Sequence, residues 1–436
     1  MAEQAQVESR PNRTRGADDP DRPAPRRRPK NRKAQIATVA AEAFSERGYH
    51  GVSVDEIASA VGISGPALYR HFPNKYALFL HAVTALTEAL QAAVAKPEPG
   101  SDATGLPPEA ELDRQLLATI RTSIENRRTG GLYRWDRRYL TREDRAATGS
   151  MITGINLRIG ETIARVRPGL AGADYVLLSN AVLSVIGSIT AHRAPLASRR
   201  LEQLLLGACH AVVGTELPPD EPQAHDPARA RGLAVANRRE VLLHEAVLLF
   251  DAHGYHEVSI EQIGTAAGIN ASGVYRHFAS KSDLLAAAFH RAGDRLAVAV
   301  GSALAESTTP LEGIDALTEV YVRLAFEQNE LMSVYFAEIG NLPASHRTDL
   351  RNVQRLNVDE WARLVSELRP GLTAVECRFL VHAALNLVLD TGRLVRFDPV
   401  PSNQRRVRQL MRAVLLGNET QRDGHTGRTR TVKEQG

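Results

Sequence analysis

Cysteine is nearly absent. The 436-residue chain has two, Cys209 and Cys377, in apolar surroundings and without CxxC spacing. That argues against a disulfide framework or a thiolate zinc site and makes a reducing cytoplasm the expected setting. Lysine is scarce as well, with six residues against a large excess of arginine, a bias associated with GC-rich bacterial genomes. No apolar run approaches about 18 residues and the N-terminus is polar, so neither a membrane span nor a signal peptide is expected. Glycine patterns for phosphate or dinucleotide binding are missing, and no nucleophile or metal motif holds. His244-Glu245 begins like HExxH, but the closing position is Leu248. The expectation is a protein that is not an enzyme and has no cofactor or metal.

What is present is a repeat. Residues 31–78 align without a gap on residues 237–284, at an offset of 206, with 19 of 48 positions identical. So many identities over such a length mean two copies of one module. They cluster in Gly48-Tyr49-His50 with Gly254-Tyr255-His256, and in Tyr69-Arg70-His71-Phe72 with Tyr275-Arg276-His277-Phe278. Gly62-Ile63 matches Gly268-Ile269 in the same way.

Each copy reads as three short helices. Ile36, Val39, Ala40, Ala43 and Phe44 form one apolar stripe at helical spacing. Gly48 follows as a stop, where a left-handed residue is favoured. Ser53 with Glu56, and Ser259 with Gln262, have the spacing of a capping box that opens a second helix. Gly62 and Gly268 suit the tight turn of a helix-turn-helix. Ser64 and Asn270 are good N-caps for a third helix, and Pro66 falls in its first turn, where no amide partner is needed.

Ile57-Ala58, Gly62, Leu68-Tyr69-Arg70-His71-Phe72 and Lys75 resemble the DNA-binding signature of the tetracycline-repressor (TetR) family. Ile263, Gly268, Tyr275-Arg276-His277-Phe278 and Lys281 repeat it. The resemblance covers two segments of about fifty residues. It implies an all-α, ligand-controlled transcriptional regulator, most simply a repressor, in the cytoplasm. Family members usually carry one such module and act as homodimers; this chain departs by carrying two.

The expected organisation follows from composition and repeat. Residues 1–30 read as a disordered basic arm, residues 31–80 as the first helix-turn-helix domain and 81–216 as a helical-bundle regulatory domain. Residues 217–232 are a Pro- and Asp-rich linker. Residues 233–286 and 287–417 repeat the plan, and 418–436 form a disordered tail. Helical patterns are expected at 77–94, 110–126, 131–140, 150–166, 173–192 and 198–214. The helix after Arg167-Pro168-Gly169-Leu170 is apolar nearly all round, and Arg369-Pro370-Gly371-Leu372 precedes its counterpart at an offset of 202. By the resemblance, residues 173–214 pack on 374–416 within one chain as a pseudo-dimer. A linker of about sixteen residues reaches at most roughly 55 Å, enough for heads 34–36 Å apart on DNA. A homodimer of chains with four heads is the alternative.

The net charge is only +4, so affinity for double-stranded operator DNA must come from where basic groups sit. The start of the third helix faces base edges. That selects Ser64, Gly65, Pro66 and Ala67 in the first copy and Asn270, Ala271, Ser272 and Gly273 in the second. Pro66 or Ala67 suits a thymine methyl, and Asn270 an adenine. The resemblance assigns phosphate contacts to Tyr69, His71 and Lys75, and to Tyr275, His277 and Lys281. Ser53 and Ser259 complete the set. Leu68, Val274, Phe72 and Phe278 are read as core. Because the base-facing residues differ, a pseudo-dimer prefers two unlike half-sites. A low-specificity DNA-coating protein without an effector is the competing reading, and a helical enzyme is the rival class.

The effector is a small molecule of hydrophobic character, by analogy with the family. Candidate pocket residues are Ile120, Ile124, Trp135 and Tyr139 in the first module, and Tyr321, Leu324, Tyr335 and Phe336 in the second. Arg127, Arg128, Arg134, Arg137 and Arg138 form a dense basic run, read first as a solvated face and second as an answer to an anionic ligand.

Overall fold

The computed structural model describes residues 31–96, 105–132, 139–220 and 237–430, with side chains through residue 417. The basic arm, most of the linker, Trp135, Arg134, Arg137 and Arg138 lie outside the described residues. Among the described residues all regular structure is helical. The first module runs α1 (Arg32–Arg47), α2 (Val54–Ala60), α3 (Gly65–Tyr69), α4 (Lys75–Ala93), α5 (Pro108–Glu125), α6 (Arg142–Val166), α7 (Gly172–Gly187) and α8 (Ser198–Val213). The second repeats it as α9 (Arg238–His253), α10 (Ile260–Ala266), α11 (Ala271–Tyr275), α12 (Lys281–Ala305) and α13 (Pro310–Glu327). It continues with α14 (Asn329–Glu338), α15 (Ala344–Leu368), α16 (Ala374–Leu394) and α17 (Pro401–Arg430).

The sequence signals act where they stand. Gly48 and Gly254 end α1 and α9 at φ 71° and 83°, a region that favours glycine. Both capping boxes close: Ser53 and Ser259 accept the amides of Glu56 and Gln262, whose side chains accept the cap amides in return. The Arg-Pro-Gly-Leu motifs act at the other end of each module. Arg167 Nη1 donates to the carbonyls of Val213 and Thr215 at 2.6 and 2.8 Å, and Arg369 Nη1 to that of Leu415 at 3.3 Å. Each arginine thereby satisfies carbonyls that the end of α8 or α17 leaves without helical partners.

Three cores result. Each head has its own, built around Phe44 and Phe79 in the first copy and Phe250 and Phe289 in the second. The third is continuous across both regulatory bundles, from Val94 to Leu416. Helix α7 packs on α16, and α8 on α17. Both cysteines are buried there, and burial pushes each thiol up, which removes them as nucleophiles.

Two expectations need correction. Gly172–Thr190 is, by length and composition, apolar enough to cross a membrane, with a mean hydropathy of 1.4. Leu178, Ala181, Val182 and Val185 in it are nonetheless fully buried against protein. A helix enclosed by neighbours on several sides needs the same composition as one enclosed by lipid. The tail is not structureless throughout: after a break at Gly417 (φ 70°) the backbone is helical to Arg430. Composition reports what can be buried, whereas helical hydrogen bonds are local and need no core. At the start of the pattern expected at 131–140, Gly130–Leu132 form a 3-10 turn; residues 133–138 lie outside the described residues and Tyr139 is helical. In that turn the bare glycines admit Thr190 and Ser45, whose side-chain atoms would lie 2.4 and 2.6 Å from added Cβ atoms.

Candidate nucleic-acid interface

Each head presents a short third helix against a short second one. In the turn between them Gly62 and Gly268 adopt φ 69° and 70°. The end of the second helix is clamped from the first: Arg32 Nη1 donates to Val61 O at 3.0 Å, and Arg238 Nη1 to Ala267 O at 2.7 Å. Arginine thus fixes the turn identically in both copies.

The third helix is pinned from beneath and open above. Leu68 and Val274 are fully buried, and Phe72 and Phe278 nearly so. Tyr69 and Tyr275, by contrast, are 49% and 53% exposed. His71 and His277 are exposed, as are the matched arginines Arg70 and Arg276. Tyrosine, arginine and histidine therefore form one polar face at the same place in each head. The arginines were not singled out from sequence, although they lie inside the repeated Tyr-Arg-His-Phe run. Lys33 and Arg239 lie over the Phe72 and Phe278 rings, at 5.4 and 4.6 Å from the centroids, a repeated cation–π contact that sequence spacing does not reveal.

At the base-facing end the copies diverge. Ser64, Pro66, Asn270 and Ser272 are exposed, and Gly65, Ala67 and Ala271 half-buried. Ser64 occupies the N-cap of α3 without a side-chain cap bond. Asn270 does cap α11: its Oδ1 accepts from Gly273 N at 2.9 Å and from Ser272 Oγ at 2.9 Å. A bidentate pairing with adenine needs that oxygen, so Asn270 and Ser272 are committed to the helix end in this structure. Gly273 is buried, and a Cβ there would approach Ile269 to 3.1 Å. It is a packing position, not a reader. Gly65 has a similar origin, since its missing Cβ leaves room for Asp55 Oδ1 at 2.5 Å. Ser53 and Ser259 are engaged in their capping boxes.

The lysines also point inward. Lys281 Nζ donates to Tyr255 O and Val258 O, both at 2.7 Å, and lies 4.4 Å from the Tyr255 ring centroid. Lys75 Nζ lies 4.5 Å from the Tyr49 ring centroid. Burial lowers both lysine pKa values, and burial raises those of Tyr49 and Tyr255. These ammonium groups hold the turn after the first helix, a role that sequence spacing does not show.

The pocket candidates scatter. Ile120 and Tyr321 are core, and Ile124 and Leu324 only partly buried. Tyr139 stacks on Tyr49 at 5.3 Å, under the first head. Tyr335 packs edge-on against Phe289 at 5.1 Å, under the second. Phe336 lines a cavity of about 890 Å³ in the first bundle, together with Ile152 and Ile155. Helical periodicity marks the inner face of a helix but not which inner positions border a void. Arg127 donates to the carbonyls of Ile189, His192 and Ala194, so it is structural; Arg128 approaches Glu42 at 3.8 Å on the surface.

The model of "Bacterial regulatory proteins, tetR family" matches residues 36–82 and 242–288. An HTH-type transcriptional activator FasR of Mycolicibacterium smegmatis is 47% identical over 49 residues, 11% of this chain and 22% of that protein. The chain therefore spans about a fifth of that curated relative. Among solved structures, a TetR-family transcriptional regulator from Bordetella parapertussis is 20% identical, with a TM-score of 0.40, over 43% of this chain and 98% of that one. The TetR-family regulator PfmR from Thermus thermophilus is 26% identical, with a TM-score of 0.36, over 41% of this chain and 97% of that one. The helix-turn-helix is built twice, and each copy matches the model of the tetR family of bacterial regulatory proteins, so the chain carries two such DNA-binding segments in tandem.

Proposed function

We propose that this chain is a cytoplasmic, sequence-specific DNA-binding transcriptional regulator whose two modules pair within one chain on a single operator, under control of a small-molecule effector. The observation that carries the reading is the duplicated polar face of Tyr69, Arg70 and His71 with Tyr275, Arg276 and His277, set on two bundles that share one core. Exposed tyrosine, arginine and histidine at a third-helix end suit phosphate oxygens, which position a head without reading sequence. Sequence is then read by Pro66 and Ala67 in one head and by Ala271 in the other, so the two half-sites differ. A DNA-bound body of this size blocks access by occupancy alone, which makes repression the simplest output. The cavity of the first bundle supports effector control, and no catalytic role is proposed.

Selection of bound DNA from a random duplex pool, with the mass of the complex from light scattering, tests the proposal. A pseudo-palindrome with unlike halves, bound by one chain, is expected. A strictly symmetric site holding two chains overturns pairing within the chain. No enrichment at moderate salt overturns the regulator in favour of low-specificity coating.

A further inference from the structure

The two bundles are not equivalent inside. At an offset of 202, Thr119 aligns with Tyr321, Asn156 with Val358 and Ile159 with Trp361. In the second bundle Trp361 is fully buried and Tyr321 lies edge-on to it at 6.2 Å. The same region of the first bundle is lined by small polar side chains, Thr119, Ser123, Asn156 and Asn180, around the cavity of about 890 Å³. One copy is filled where the other is open.

The cavity is also shared. Its apolar wall comes from Leu86, Leu90, Ile155, Leu183 and Ile186 of the first module, and from Phe336 of the second. Asn386, Asp390, Arg393 and Arg396 close it from the second module. A cross-module network ties that wall in place: Ser184 Oγ donates to Asp390 Oδ2 at 2.6 Å, and Asn386 Nδ2 donates to Ser184 Oγ and Asp390 Oδ2, both at 3.0 Å. Beyond α16, Arg396 and Phe397 both adopt left-handed backbone, at φ 57° and 49°, a conformation unfavourable for non-glycine residues that must be held by its surroundings. Phe397 is the hold. Its ring fills the space that a side chain at Gly392 would take, with Cε1 2.3 Å from an added Cβ, and meets Phe326 edge-on at 5.5 Å. The loop thereby sets Arg396 on the cavity wall.

The lining chemistry defines the ligand. Arg145, Arg393 and Arg396 border the space against a single carboxylate, Asp390, which pairs with Arg393 at 3.3 Å. Asn180 Oδ1 is buried and accepts no hydrogen bond, an unmet acceptor that a ligand donor satisfies. We propose that this composite cavity is a single ligand site per chain for an anion with an apolar body, its charge at Arg393 and Arg396 and its body among the leucines and isoleucines. The assignment rests on the ligand-controlled reading above, and adds that the first module senses while the second supplies the charge-recognising wall.

Calorimetry on the full chain tests it, with decanoate and decyltrimethylammonium as probes of equal body and opposite charge. The expected result is about one decanoate per chain, bound at least about tenfold tighter than the cation. Thr119→Tyr, which copies the filled bundle into the open one, abolishes binding. Arg396→Ala, at an exposed side chain that leaves the fold intact, narrows the preference between the probes. Two decanoates per chain, equal binding of both probes, or binding unaffected by both substitutions overturns the proposal. DNA binding is measured separately on the same samples. A chain that binds its selected DNA but not decanoate refutes this site alone, whereas one that binds decanoate but no DNA refutes the regulator and leaves the site.

Discussion

His50 and His256, equivalent residues of the two copies, face each other with ring centroids 4.5 Å apart and planes tilted by 41°. The two heads therefore touch at the turn that follows their first helices. Tyr139 and Tyr49 pack against His50 at 5.0 and 5.3 Å, and His256 Nε2 lies 2.9 Å from Asn341 Oδ1. Burial lowers the His50 pKa below its usual 6.5, His256 and Lys75 lower it further, and Glu257 opposes them.

The sign of the acid response follows. A separated or unfolded state takes up the proton near the ordinary imidazole value of about 6.5, while the closed contact resists it. Stability from the contact is complete above that value and is lost as pH falls below it. Thermal melts at about pH 7.5 and about pH 5.5 should show a larger loss for the parent chain than for His50→Gln. An equal loss in both removes the histidine pair as the source.

Asp174 and Glu376 stand at equivalent places in the first turns of α7 and α16, and each pairs with an arginine of the other module's last helix, Asp174 with Arg406 and Glu376 with Arg200. Arg406 is 4% exposed and also reaches Asp220 at 3.4 Å. Removing one member of a buried pair leaves an uncompensated charge, at about 3 kcal/mol or more. Arg406→Ala should lower the urea midpoint accordingly, while Arg406→Leu combined with Asp174→Leu recovers most of the loss. Stability of Arg406→Ala within about 0.5 kcal/mol of the parent would show that the pair does not hold the modules together.

Lys281 separates a structural lysine from a phosphate-binding one. Lys281→Met leaves the carbonyls of Tyr255 and Val258 without their ammonium donor, so a stability loss of about 1–3 kcal/mol is expected. The dependence of DNA affinity on salt should stay unchanged. A fall in its slope by about one would instead mean that Lys281 neutralises a phosphate in the complex.

Much of this was readable before any coordinates. The gapless repeat announced two heads, and the Ser53 and Ser259 capping boxes, the Gly48 and Gly254 stops and the core positions Leu68 and Phe72 follow from local spacing. Local rules act within a few residues, so a sequence carries them openly. Partners across the fold are another matter. Nothing in the spacing of Lys281 distinguishes a phosphate from the carbonyl of Tyr255, and the buried face of Gly273 depends on where Ile269 turns. The cavity was illegible for the same reason. Thr119 and Tyr321 look like interchangeable helix-face residues until Trp361 is seen filling one bundle and not the other.

Tyr69 and Tyr275 decide whether both heads serve one operator. Both rings are about half exposed, so Tyr69→Phe and Tyr275→Phe remove a hydroxyl without opening the core, and melting temperatures should not move. Loss of one hydrogen bond to a charged phosphate oxygen weakens binding on the order of tenfold. A neutral hydroxyl releases no counterion, so the salt slope stays the same. Heads that bind one site together make the two losses add in free energy, since the positions share no partner. The double variant should then bind on the order of a hundredfold more weakly than the parent, measured by fluorescence anisotropy on the selected duplex. If one single substitution is silent and the double variant merely matches the other, only one head grips that DNA, and pairing of the modules on one operator is wrong.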